Sequence, residues 1–224
     1  MAKANRYDRD FLRRGRPGDA AQASGKSILA VVEGKQTELI YLEALREELQ
    51  LSAARVVILH RSVTDPLNIV REAIRLQDEQ VERTKKAITV PYDEVWVVFD
   101  SERQDHPRRK QIPAAIDLAR QKGISIALST PSFEYWLLLH YAFTTAAFSD
   151  CDDVIAALKK YITKYTKNDL PMADLLKRVG DAVCNAGRCH THWRDCGGDG
   201  NPRTYVDLLV ASMNGSTGPS FRLF

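Results

Sequence analysis

An α/β fold, a parallel four-stranded sheet with helices on both faces, is predicted by two features of this sequence. Four short apolar runs rich in β-branched residues, SILAVV (27–32), ARVVILH (54–60), EVWVVFD (94–100) and ISIALS (124–129), read as strands. Stretches of helical periodicity separate them, each long enough for the crossover that parallel strands require. After Ser129 no convincing strand follows, and the chain is expected to continue as a C-terminal α-helical extension.

The elements follow in order. Behind the first strand, Leu39, Leu42, Leu45 and Leu49 fall on a helical period between about Gln36 and Gln50. After the second strand, Asp65 supplies an N-cap and Pro66 the first helical position of a helix reaching about Lys86. The third strand ends on a carboxylate, Asp100. Residues 111–122 form a helix closed by Gly123, and the fourth strand follows directly. Beyond it, residues 132–143, 151–165, 171–186 and 203–213 read as helices. This divides the chain into a flexible basic N-terminal arm (1–26), an α/β core (27–130) and a helical extension (131–224). TPSFEYWLLLHY is so apolar that the extension is expected to pack on the core.

Composition excludes several classes. Of 224 residues, 44% are hydrophobic and 27% charged, as in ordinary soluble domains. No run approaches the roughly 18–20 apolar residues of a membrane span. The N-terminus lacks the apolar core of a secretion signal, and four cysteines are too few for a disulfide scaffold. A cytoplasmic protein is expected. The net charge is +3, but residues 1–26 carry seven basic and three acidic side chains, leaving 25 basic against 26 acidic in the remainder. A polyanion would therefore be handled by local patches or bound metal rather than by a global field. The arm reads either as a solvated tail or as a phosphate- or partner-binding segment.

Ligands of open parallel sheets bind beyond the carboxyl ends of the strands, and here those ends are acidic. Glu33-Gly34-Lys35-Gln36-Thr37-Glu38 follows strand one, and Asp100-Ser101-Glu102 closes strand three. If the two strands are neighbours, Glu33, Asp100 and Glu102 converge. Crowded carboxylates raise one another's pKa unless a cation neutralises them, and Mg²⁺ or Mn²⁺ suits oxygen ligands. Gly34 permits a tight turn and close approach of a phosphate. Acids at strand-to-helix turns also serve as ordinary helix caps, and Glu38 fits that role as well.

A Glu after the first strand and an Asp-x-Asp-like pair after the third resemble the Toprim fold of topoisomerases, bacterial primases and OLD-type nucleases. The segments VVEGKQTELIYLEAL (31–45), VWVVFDSE (95–102), SFEYWLLLHY (132–141) and NPRTYVDLL (201–209) resemble the RloB/AbiLii-like branch of bacterial defence loci, related to OLD-family and AriB-type Toprim effectors. The resemblance implies that Asp100 and Glu102 hold Mg²⁺, with Glu33 as shared ligand or acid/base. Glu38 becomes a further catalytic carboxylate and Lys35 a phosphate contact. It also implies a partner ATPase, since the chain has no G-x4-GK[ST] motif of its own. Glu102 stands where Asp is usual and reaches about one methylene further.

Three further groups are candidates. Glu134 begins an apolar helix just after the fourth strand, on the active edge, and is a candidate catalytic residue; core packing of Glu134 and His140 accounts for the block as well. Lys160, Lys164 and Lys167, interleaved with Tyr161 and Tyr165, share one face of a helix and suit nucleic-acid contact; a solvated face with inward tyrosines gives the same pattern. Cys184, Cys189, His190, His192 and Cys196 are numerous enough for a Zn²⁺ site between two helices. Their spacing matches no common zinc module, and a Gly-rich loop with incidental cysteines is the other reading.

The function expected is a Mg²⁺-dependent Toprim-type nuclease acting on RNA such as tRNA, or DNA, as the effector of an abortive-infection system. The alternatives are a non-catalytic Toprim-shaped module that binds nucleic acid or nucleotides, and a phosphoryl-transfer enzyme acting on nucleotides. A homo-oligomer is left open.

Overall fold

The computed structural model describes residues 26–53, 55–61, 65–86, 89–103, 105–198 and 200–215. The basic arm, apart from Lys26, lies outside the described residues. Five strands form one sheet in the order β2 (Val56–His60), β1 (Ile28–Val32), β3 (Glu94–Asp100), β4 (Ser125–Thr130), β5 (Arg203–Thr204). The first four are parallel, as expected; β5 is antiparallel to β4 and adds a fifth strand to the four predicted. At two residues β5 is too short to reveal itself by alternation. It is held by Ser129↔Thr204 pairing and by a hydrogen bond between their hydroxyls at 2.9 Å.

Strand alternation feeds both faces. Leu29 and Val31 of β1, with Val95, Val97 and Phe99 of β3, pack against α2 (Pro66–Lys85) and α3 (Ile112–Lys122). Ile28, Ala30, Val32, Trp96 and Val98 face the other way, toward α1 (Thr37–Glu48) and the extension. α2 starts where Asp65 accepts from the N–H groups of Leu67 and Asn68 at 2.9 and 3.1 Å, with Pro66 leading. α3 stops at Gly123, whose φ of 68° is the left-handed conformation glycine adopts without penalty.

The extension comprises α4 (Glu134–Leu139), α5 (Cys151–Leu158), α6 (Met172–Lys177), α7 (Val179–Asp195) and α8 (Val206–Met213). Its helices are shorter or differently cut than the sequence suggests. α4 ends at Leu139, and the segment after it is fastened by a side chain instead: the Tyr135 hydroxyl donates to the Thr144 carbonyl at 2.7 Å. The helix expected over 151–165 ends at Leu158, and that expected over 171–186 breaks at Arg178 and resumes as α7. Phe133, Trp136, Leu158, Leu175, Val179, Val206 and Leu209 share one buried cluster with the β1 and β3 side chains, so the extension has no core of its own. Among the described residues, no helix is long and apolar enough to cross a membrane.

Candidate active site

β1 and β3 are neighbours, with Val32 opposite Val98. Glu33 leaves β1 through an N–H donated to the Val98 carbonyl at 3.0 Å, while Asp100 ends β3 opposite Ser129. Two acids from the helices complete the group, Glu38 in the first turn of α1 and Glu134 at the start of α4. Burial pushes the Asp100 pKa well above the ordinary carboxylate range, and repulsion from Glu38, Glu134 and Glu33 adds to it; the Phe133 N–H opposes. Burial likewise pushes Glu38 up to about 7, reinforced by Glu134 and Glu33. Of the three acids expected to converge, Glu33 and Asp100 interact directly, together with Glu38 and Glu134, while Glu102 neighbours Glu33.

Gly34 explains how Glu38 fits. The Glu38 carboxylate lies where a Cβ on residue 34 would stand, so the side chain folds back over a backbone that has none. Lys35, beside it, is exposed.

Glu102 is placed differently from the expected metal pair. Its backbone turns to a φ of 61°, unusual for a residue other than glycine, and its N–H donates to the Pro131 carbonyl at 3.0 Å. Its carboxylate accepts from Arg108 Nη1 at 3.0 Å, while Arg108 Nη2 donates to Glu33 Oε1. Arg108 thus bridges Glu33 and Glu102. It lies in a 3₁₀ turn, Pro107–Gln111, steadied by Arg109 Nη1 on Ser101 Oγ at 3.0 Å and on the Glu102 carbonyl at 3.3 Å. Burial raises the Glu33 pKa; Arg108 opposes this and Glu102 adds to it. Nothing in sequence periodicity marks Arg108, although the basic run HPRRK directly after the acids is a signal in hindsight.

Glu134 is 2% exposed. Its carboxylate accepts from Tyr165 Oη at 3.1 Å and Cys151 Sγ at 3.3 Å, with Lys167 Nζ at 3.6 Å. Burial alone would raise its pKa, but Lys167, the Ser132 hydroxyl, the Glu134 backbone N–H and Cys151 outweigh it, and Glu134 stays below the ordinary value. The same carboxylates hold Lys167 above its ordinary value despite the opposing cost of burial. The Lys160–Lys167 stripe is therefore not one helix face. α5 has ended before it, Tyr165 turns inward to Glu134, Lys167 reaches the same carboxylate from an exposed position, and Tyr161 is 49% exposed, stacked on Tyr141 with centroids 5.4 Å apart. Lys160 and Lys164 are exposed.

The five Cys and His residues do not gather. Four lie on α7 and Cys196 caps its end, where the sequence suggests a loop. Cys189 is buried, bonded to Tyr135 Oη at 3.0 Å, and His190 pairs with Asp207 at 3.1 Å. His192 and Cys196, four apart and one helical turn along, are neighbours with Sγ–Nε2 at 3.8 Å. His140 is buried and pairs with Tyr41 Oη at 3.0 Å, as a packed core histidine does.

The strand-end donors are hard oxygens, and the raised pKa values of Glu33 and Asp100 are ones a divalent cation would relieve, so their chemistry fits Mg²⁺ or Mn²⁺. In the present side-chain arrangement Arg108 and Lys167 serve as counter-charges. Among the described residues no group of three or more His, Cys, Asp or Glu side chains is arranged to hold a metal ion. A family model described as RloB-like protein matches residues 28–213. No curated protein and no solved structure matches the chain.

Proposed function

We propose, from the premise that this chain belongs to the RloB-like family, a metal-dependent nuclease that hydrolyses phosphodiester bonds of RNA such as tRNA, or of DNA, as the effector of an abortive-infection system. On this reading the core is of the Toprim type and an ATPase encoded nearby is its partner. The observation that carries it is the meeting of Glu33, Glu38, Asp100 and Glu134 at the carboxyl ends of β1 and β3, with Asp100 and Glu38 raised by burial and mutual repulsion.

Asp100 and Glu33, with Glu102 in reach of Glu33, would hold Mg²⁺ or Mn²⁺. The metal would supply a Lewis acid and a nucleophile available at neutral pH. The chain's own residues do the remainder. Glu38, titrating near neutrality, is suited to take up and return a proton at its carboxylate. Glu134, clamped by Tyr165, Cys151 and Lys167, keeps its charge and holds the acidic wall in place. Lys35, Lys160, Lys164 and the exposed Tyr161 offer charge and a stacking surface to a polynucleotide.

The test is incubation of wild type and Asp100→Asn with tRNA, single-stranded and double-stranded DNA, in Mg²⁺, Mn²⁺ or EDTA. Cleavage by wild type that needs metal and vanishes in Asp100→Asn is expected; unchanged cleavage by the variant removes the reading. One observation favours a second reading, a non-catalytic binding module. Arg108 and Lys167 already neutralise part of the acid group. That reading expects nucleic-acid binding indifferent to EDTA, and no turnover.

A further inference from the structure

We propose that Arg108 is a built-in counter-cation, holding Glu33 and Glu102 until a divalent metal takes those carboxylates and the freed guanidinium binds a substrate phosphate. This rests on the metal-site reading above and adds to it a residue that couples metal to substrate.

The observations concern one side chain. Arg108 spans two acids from different strands, Glu33 after β1 and Glu102 after β3, and its side chain is 19% exposed. Its Nε is buried and has no hydrogen-bond partner among the described residues. The guanidinium therefore meets the two carboxylates with only part of its donor set, and an N–H is left unsatisfied in a site where desolvated polar groups are costly. The turn that carries it is held separately: Arg109 binds Ser101 Oγ and the Glu102 carbonyl. Arg108 can leave the acids by side-chain rotation alone, without unseating the turn.

A divalent ion and a guanidinium on the same carboxylates repel one another, so the two compete. Phosphate offers the guanidinium two adjacent oxygens, the same two-pronged acceptor that carboxylate does. A phosphate that draws Arg108 away frees Glu33 for metal. By linkage, metal that displaces Arg108 must then strengthen phosphate binding by the same factor. The unladen enzyme would thus hold metal weakly until nucleic acid arrives.

The experiment is Mn²⁺ binding to the full chain followed by electron paramagnetic resonance, in wild type, Arg108→Met and Asp100→Asn. Each is measured in sodium sulfate, a phosphate stand-in, and in chloride of equal ionic strength. Arg108→Met is expected to bind Mn²⁺ about tenfold more tightly than wild type in chloride, within the usual range of coupling between sites. Sulfate is expected to tighten Mn²⁺ binding in wild type and not in the variant, and Asp100→Asn to lose it. Equal or weaker Mn²⁺ binding by Arg108→Met, with Asp100→Asn still defective, overturns the role of Arg108 and leaves the metal site standing. Absence of Mn²⁺ binding in all three proteins overturns both. Should Arg108→Met unfold, Arg108→Lys, which cannot bridge in the same fork, is expected to tighten Mn²⁺ about threefold; no tightening there overturns the proposal.

Discussion

A single methyl group at position 34 would collide with the Glu38 carboxylate, the flexible end of a side chain that can swing aside. Gly34→Ala is therefore expected to leave the thermal midpoint within about 2 °C of wild type while metal-dependent cleavage falls sharply; equal activity would show that the folded-back Glu38 is dispensable. Glu38 also predicts a pH dependence. Its folded pKa of about 7 lies above its ordinary 4.5, so between those values the folded state binds more protons and stability falls as pH rises. Glu38→Gln removes that cost, and is expected to gain stability over wild type from pH 5 to pH 8, on the order of 2 kcal/mol at the upper end. Urea unfolding at both pH values checks it, and a difference that does not grow with pH speaks against it. Glu33, Asp100 and Glu134 were legible in the sequence because hydrophobic runs mark where strands stop, and acids at those stops must share one edge. Arg108 was not legible: a cation in a turn has no period to place it, and its partners come from two strands.

The elements up to Thr130 follow the sequence closely, since β-branched runs, the Asp65-Pro66 start and the Gly123 stop are local signals. In the extension those signals fail. α4 is buried on every side, so it lacks the polar face from which a helix's length is read. The lysine–tyrosine spacing after α5 imitates a helix, yet the pull of a buried carboxylate on Tyr165 and Lys167 decides the backbone there. That segment is accordingly part of the acidic site. Tyr165→Phe removes one donor from a buried charge and is expected to cost about 1.5–3 kcal/mol at pH 7. Glu134 titrates below its ordinary value when folded, so the stability it contributes is present above about pH 4.5 and lost as pH falls through the folded pKa. The cost of Tyr165→Phe should shrink as pH falls through that folded pKa; a pH-independent cost would mean that the hydroxyl acts by packing alone.

Across the whole molecule, one buried cluster joins the sheet to the extension, from Ile28 and Trp96 to Trp136, Leu175 and Leu209. Calorimetry of the full chain is expected to show a single unfolding transition, since the extension has no core of its own and the sheet without it would bare one apolar face; two separable transitions would mean that the halves are independent. Net charge over the whole chain says little about function here, because the informative charges are pairs: Arg108 with Glu33 and Glu102, Lys167 with Glu134. The two-residue strand β5 has a consequence for biosynthesis. It is made some 75 residues after Ser129, the residue it pairs with, and Ser129 in turn sits opposite Asp100. Tyr165 and Lys167, which fix Glu134, are also late in the chain. A nascent polypeptide that has emerged only as far as its fourth strand carries Glu33, Asp100 and Glu102 but lacks Glu134, the residues that clamp it and the closing strand. The acid centre thus gains its clamp and closing strand only once residues as late as Thr204 have emerged, and chains terminated before them are left without either.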